Sequence, residues 1–253
     1  DLHLLSRRQR QMCIRDRSTI MKYIELQTAF ELEIDQLDDN LTKPTTSDIE
    51  YWLMAGLDKF IKTRYSGINF KQTGFEQDQK RIDDLRTLVT RKSYQFNTYP
   101  EEYTVTLPDD YMFTVGETAV IFSYDHCWPV GPSGQPRTKN VDVLEATVEN
   151  IDRQRQNTLS EYRLHGRSAR PLRLYEGNEI HLYTDGNYNI RNYILTYLRT
   201  PKRISLTDAP FDEYTDMPAA THNEIVKLAV ELYLENKANP RYQSYMNEVS
   251  TME

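Results

Sequence analysis

The chain has 253 residues, a formal net charge of −7, 38% hydrophobic residues and 18 tyrosines. That length suffices for a substantial core, in one large domain or two small ones, and no apolar run approaches the roughly 18 residues of a membrane span. Cys13 and Cys127 form neither a disulfide framework nor a C-x-x-C pair, which fits a reducing compartment. The charge is uneven: residues 1–20 hold five arginines and two aspartates, net +3, so the total of −7 leaves −10 for residues 21–253. An acidic body argues against wrapping duplex DNA by phosphate neutralisation, but not against lining a passage for it.

Residues 1–20, with Arg7-Arg8-Gln9-Arg10 and Arg15-Asp16-Arg17, show no apolar period and precede Met21. They resemble translated sequencing-adapter remnants and are set apart as a non-native or disordered tail. The competing reading is a nucleic-acid arm.

From Met21, the residues Tyr23, Leu26, Phe30, Ile34, Leu37 and Leu41 recur every three or four positions among Glu25, Glu31, Glu33, Asp35 and Asp38. This predicts a helix with one apolar face and an acidic remainder, stopped by Pro44. Ser47-Asp48-Ile49-Glu50 reads as a capping box for a second helix, to about Tyr65, whose stripe is Ile49, Trp52, Leu53, Leu57, Phe60 and Ile61. Ala55 and Gly56 permit close approach there. A third box, Thr73-Gly74-Phe75-Glu76, predicts a helix with Ile82, Leu85, Leu88 and Val89 facing inward.

After Arg91 the texture turns to short β-prone runs: Tyr103 to Leu107, Ala119 to Phe122, Val141 to Val148, Leu172 to Tyr175, Glu179 to Tyr183 and Tyr193 to Arg199. Glu176-Gly177-Asn178 predicts a hairpin, Asp185-Gly186-Asn187 a turn, and Asn150 to Thr158 a short polar helix. Phe211 to Pro218 is an acidic, proline-bounded linker. Thr221 to Asn239 is the most apolar helical stretch, opened by Thr221-His222-Asn223-Glu224 as a capping box and closed by Asn239-Pro240. Pro240 then starts a short amphipathic helix bearing Tyr242, Tyr245, Met246 and Val249.

A helix as apolar as Thr221 to Asn239 needs partners on most sides, and the other strong helical patterns lie near the opposite chain end. The expected fold is α+β: a helical bundle built from N-terminal and C-terminal helices (21–98 and 207–253) with an inserted antiparallel β-rich domain (99–206).

Asp125, His126 and Cys127 are adjacent, and adjacent ligands rarely converge on one metal, so a loop with Trp128 packed and Cys127 buried is expected. Asp38-Asp39, Asp83-Asp84 and Asp109-Asp110 invite a two-metal nuclease, but neighbouring helical carboxylates diverge and the last pair follows Pro108 in a turn. Ser123 or Ser160 with His165 or His181 lacks a G-x-S-x-G elbow, and no phosphate-binding glycine motif occurs. The chain therefore reads as no enzyme, with no catalytic, cofactor or metal residues. Arg163, His165, Arg167, Arg170 and Arg173 form the one basic stretch of residues 21–253. Arg163, Arg167, Arg170 and Arg173 are candidates for subunit or DNA contact, with a solvated loop as the plain alternative.

Several stretches, in order, carry a resemblance: Ile49-Glu50-Tyr51-Trp52-Leu53-Met54-Ala55-Gly56-Leu57-Asp58-Lys59-Phe60; Phe75-Glu76-Gln77 with Arg81 to Arg86; Leu107-Pro108-Asp109-Asp110-Tyr111; Tyr197 to Pro201; and His222 to Val226 with Asn239-Pro240-Arg241-Tyr242. Together they resemble the head-to-tail connector (adaptor) proteins of tailed bacteriophages, in particular the ring proteins of crAss-like phages, over most of residues 21–253. The resemblance implies a structural virion protein assembled in the bacterial cytoplasm. It implies a dodecameric homo-oligomeric ring between the portal protein and the next tail or ring component, with genomic DNA in its lumen and no membrane partner. It further suggests that the acidic side of the first helix meets the arginines at 163–173 of another copy. The rival readings are a metal-dependent phage nuclease and a tail-tube or head-decoration protein.

Overall fold

The structure is a computed structural model that describes residues 20–37, 43–67 and 74–250. The expectations for residues 1–19, for the first helix beyond Leu37 as far as Leu41, for Asp38-Asp39 and for Thr73 as a cap fall outside the described residues. In chain order the helices are α1 (Tyr23–Leu37), α2 (Thr46–Ser66), α3 (Gln79–Leu85), α4 (Ile151–Gln156), α5 (His222–Asn236) and α6 (Tyr242–Ser250). The strands are β1 (Val89–Gln95), β2 (Glu102–Thr106), β3 (Tyr111–Phe122), β4 (Lys139–Asp142), β5 (Leu144–Glu145), β6 (Leu172–Glu176), β7 (Glu179–Tyr183) and β8 (Asn189–Arg199). The fold is α+β, with helices from both chain ends flanking the β-rich region. The chain divides into two compact units: Asp1–Leu88 with Pro201–Glu253, and Val89–Thr200.

The helical unit is built around α5, whose Ile225, Val226, Ala229, Val230, Tyr233 and Leu234 are all buried. They meet Leu26, Phe30 and Ile34 of α1 and the stripe Ile49, Leu53, Leu57, Phe60 and Ile61 of α2, each at most 3% exposed. Tyr233 is the hinge of this packing: Phe30 and Trp52 approach its ring edgewise at 6.0 and 6.1 Å, the arrangement that ring quadrupoles favour. Met21 N–H donates to His222 Nδ1 at 3.2 Å, which ties the start of the described chain to the start of α5.

The helix caps differ from the sequence reading. Thr45, not Ser47, caps α2, in a reciprocal box with Asp48. Asp48 sits three residues after Thr45, and Ser47 already lies inside the helix, which begins at Thr46. The third box opens only a 3-10 turn, Phe75–Gln77, where Gln77 Oε1 accepts from Gly74 N–H, and Asp78 caps the short α3. Thr221 caps nothing with its side chain, because a preceding 3-10 turn puts its backbone in helical dihedrals and its hydroxyl donates to Pro218 O. Asn239 Oδ1 accepts from Arg241 N–H, which leaves Pro240 at the first turn before α6 as expected.

The β unit consists of two four-stranded sheets, β1-β8-β3-β4 and β2-β7-β6-β5, antiparallel except for the short parallel pair β5/β6. They share a core of Tyr103, Val105, Ala119, Ile121, Trp128, Ile180, Leu182, Tyr188, Ile190, Tyr193, Leu195 and Tyr197. The hairpin β6/β7 turns through Gly177 at φ 59°, and the next turn through Gly186 at φ 81°. The expected third helix forms but ends at Leu85, short of Leu88 and Val89: Val89, Thr90 and Arg91 pair with Leu198, Tyr197 and Thr196 of β8. Apolar spacing continued past Leu85, but an available strand partner outweighed it, and β-branched residues suit that ladder. The unit therefore starts at Val89 and ends at Thr200, against 99 and 206 in the sequence reading.

Candidate functional site

The arginine stretch does not form one basic face. Arg173 on β6 is 7% exposed and lies between the sheets, with Nε 2.8 Å from Glu117 of β3 and its guanidinium over Tyr175. Its pairing with Glu117 on the other sheet directs the side chain inward, so Arg173 is a structural ion-pair partner and not a subunit or DNA contact. Arg163 donates to Arg155 O at 2.8 Å, Arg167 to Cys127 O at 3.2 Å, and Arg170 to Asp142 O at 3.2 Å and Glu161 at 2.8 Å. These three remain at the surface, each donating to a backbone carbonyl, and His165 closes a tight turn with Ser168.

Glu117 is the centre of the buried polar group that Arg173 joins. It also accepts from Tyr193 Oη at 2.6 Å and Tyr175 Oη at 3.1 Å, and Tyr175 in turn meets Thr114, which meets Tyr111. Burial, with the Glu117 charge second, pushes the Tyr193 and Tyr175 phenols well above the usual tyrosine range. Burial acts to lower Arg173, but Glu117, Tyr175 and Glu145 together hold it above its ordinary value. The arrangement holds the Arg173–Glu117 charge pair and the Tyr193 phenol out of solvent between the sheets, with Tyr175 partly buried beside them.

A second buried group ties the helical unit. Arg64 of α2 reaches Asp84 of α3 at 3.1 Å and Glu224 of α5 at 2.5 Å, and Lys80 pairs with the same Glu224 at 3.1 Å. Desolvation raises the Asp84 carboxyl, against the lowering influence of Arg64. The sequence reading missed these residues because their partners are 160 and 144 positions apart, and charges in helices otherwise read as solvated faces.

The residues weighed for catalysis are employed elsewhere. Asp110 Oδ1 accepts from Tyr197 Oη and its carbonyl from Thr200 N–H. Ser123 Oγ donates to Asn187 O, while His181 of β7 pairs with Glu102 at 2.9 Å. Trp128 packs as expected and donates to Arg137 O, but Cys127 is exposed, because Asp125 Oδ1 draws its backbone into a surface turn. Among the described residues no His, Cys, Asp or Glu cluster has the geometry to hold a metal ion.

What faces solvent on α1 is more informative. Ile24 (37% exposed) and Leu32 (56%) lie eight residues apart on the outward side with Thr28 between them, flanked by Glu25, Glu31 and Asp35. The spacing alone predicts an acidic remainder on this side. The signal was present, since both residues fall off the Leu26, Phe30, Ile34 stripe. No known protein family and no curated protein matches this chain.

Proposed function

We propose that this chain is a structural virion protein, the head-to-tail connector (adaptor) that forms a ring between portal and tail and encloses part of the DNA passage. The observation that carries the reading is the outward face of α1: two exposed aliphatic side chains on an otherwise acidic helix that is anchored by its opposite face to α5. Exposed aliphatic side chains rimmed by charge on one helix face suit a protein contact. Its occupant in this reading is a neighbouring copy, since a ring of identical subunits needs one face to meet a different face on the next copy. The resemblance of the ordered motifs from Ile49 to Tyr242 supplies the identity of the assembly, and the burial of Arg173, Glu117 and Arg64 in internal pairs is consistent with side chains used for rigidity. The surface arginines Arg163, Arg167 and Arg170 remain available to the facing copy or to DNA, and the chain acts without catalysis.

The test is co-expression with the cognate portal followed by negative-stain microscopy and native mass spectrometry. Rings of this protein on the portal, twelve copies each, are the expected result. A protein that stays monomeric and off the portal, or tubes formed without it, refutes the connector reading. Plasmid cleavage with magnesium or manganese that Asp110→Ala abolishes would establish the nuclease alternative instead.

A further inference from the structure

The β unit contains a cleft of about 390 Å³ at the end of the β1-β8-β3 sheet, inside the ~300–1,000 Å³ range of small-ligand sites. Two tyrosines line it, Tyr99 at 45% and Tyr124 at 71% exposure. Both rest edge-on against the buried ring of Phe122, at 5.1 and 5.7 Å with interplanar angles of 84° and 87°. These contacts fix the orientation of two exposed aromatic rings, so little side-chain freedom remains to be lost on binding.

The polar lining is mostly amide. Gln95, Asn97, Gln135 and Asn192 contribute amides, Thr138 adds a hydroxyl, and Arg191 is the one charged residue among the described residues that line the cleft. Gln95 and Asn192 are register partners on β1 and β8, so two of the amides stand on the sheet itself rather than on mobile loop ends.

We infer that this cleft is a binding site for a neutral oligosaccharide. Each amide offers both donors and an acceptor, which matches hydroxyls that also do both. The C–H faces of a pyranose ring pack on the electron-rich face of a tyrosine. The competing ligands fit less well. An extended proline-rich peptide offers mainly carbonyl acceptors, leaving the amide oxygens without partners. Single-stranded nucleic acid requires a positively charged groove, and one arginine in an acidic chain does not make one. The cleft is lined by residues of a single copy of the chain.

Isothermal titration of the full chain with maltohexaose, cellohexaose, laminarihexaose and N-acetylchitohexaose tests this, with a proline-rich decapeptide and a deoxythymidine decamer as comparison probes. The expected result is saturable binding of at least one saccharide, weakened roughly tenfold by Tyr124→Ala and by Asn192→Ala, the loss of about one stacking or hydrogen-bonding contact each. Tyr51→Ala, an exposed tyrosine of the helical unit, leaves it unchanged. Circular dichroism of each variant verifies folding. No heat with any of the saccharides at millimolar concentration, binding insensitive to both cleft variants, or a preference for the peptide or oligonucleotide overturns the inference.

Discussion

Gly56 and Ala229 hold α2 and α5 at backbone contact: a methyl group on Gly56 would lie 2.8 Å from the Ala229 nitrogen and 2.9 Å from its Cα and Cβ. In an open helix interior, glycine to alanine is worth about 1 kcal/mol of added stability. Here the obstacle is helix backbone, which cannot rotate away, and overpacking costs roughly 1–3 kcal/mol or more. The clash prevails. Gly56→Ala is expected to destabilise by about 1–2 kcal/mol, seen as a lower urea midpoint with an unchanged slope; a higher midpoint would show that the helices separate at no cost.

The opposite sign is expected at the far end of α5. Asn239 N–H donates to Leu234 O and Ala238 N–H to Glu235 O, the double closure of a Schellman cap, with Ala238 left-handed at φ 50°. That conformation costs an alanine about 1–2 kcal/mol, more than the ~0.4–1 kcal/mol that glycine adds to the freedom of the unfolded chain. Ala238→Gly therefore raises stability, by about 0.5–1 kcal/mol, in the same urea assay.

His222 sets an acid limit. It is fully buried, its Nδ1 accepts from Met21 N–H and its Nε2 faces Met217 O, so the ring is held neutral; burial lowers its pKa, against smaller raising contributions from backbone hydrogen bonds. A histidine depressed in the folded state contributes stability above the unfolded value of about 6.5 and loses it as pH falls below that. The His222 ring resonances should titrate below about pH 6.5, and His222→Gln should flatten the acid limb of the stability curve. A ring midpoint above the unfolded value would contradict this.

An alkaline limit follows from the tyrosines of the β unit. Burial and hydrogen bonding to Asp110 push Tyr197 up to about 12, and burial and Glu117 raise Tyr193 and Tyr175 further. Phenols raised in the folded state contribute stability that is complete below the unfolded value of about 10 and lost as pH rises through the folded ones. Phenolate absorbance should thus rise in two stages, the second coincident with unfolding. Glu117→Gln leaves the Arg173 charge buried without its carboxylate and is expected to cost roughly 3–5 kcal/mol; a loss under 1 kcal/mol would mean that the pair is not desolvated.

The outward face of α1 separates assembly from folding. Leu32→Glu, alone or with Ile24→Glu, alters exposed positions, so the monomer should stay within about 0.5 kcal/mol of the parent. Rings on the portal should be lost. Intact rings with the double variant would remove α1 from the interface.

The local and periodic features were legible in the residues themselves. Apolar spacing identified α2 and α5 and their need for each other, because a helix buried on most of its circumference leaves few alternatives. Gly177 and Gly186 marked turns that require a positive φ. Tertiary structure decided what depends on distant partners. Val89 to Arg91 carry helical spacing but form a strand because β8 lies alongside, and Thr45 caps α2 because Asp48 is within reach of it. Arg173 reads as a surface charge until sheet pairing turns it toward Glu117, 56 positions away. The cleft of Tyr99, Tyr124 and Asn192 has no sequence signature, since its residues come from four separate stretches that only the folded β unit brings to one end of a sheet. Period and punctuation are written in neighbouring residues, whereas burial and pairing are settled by which segments compete for the same partner.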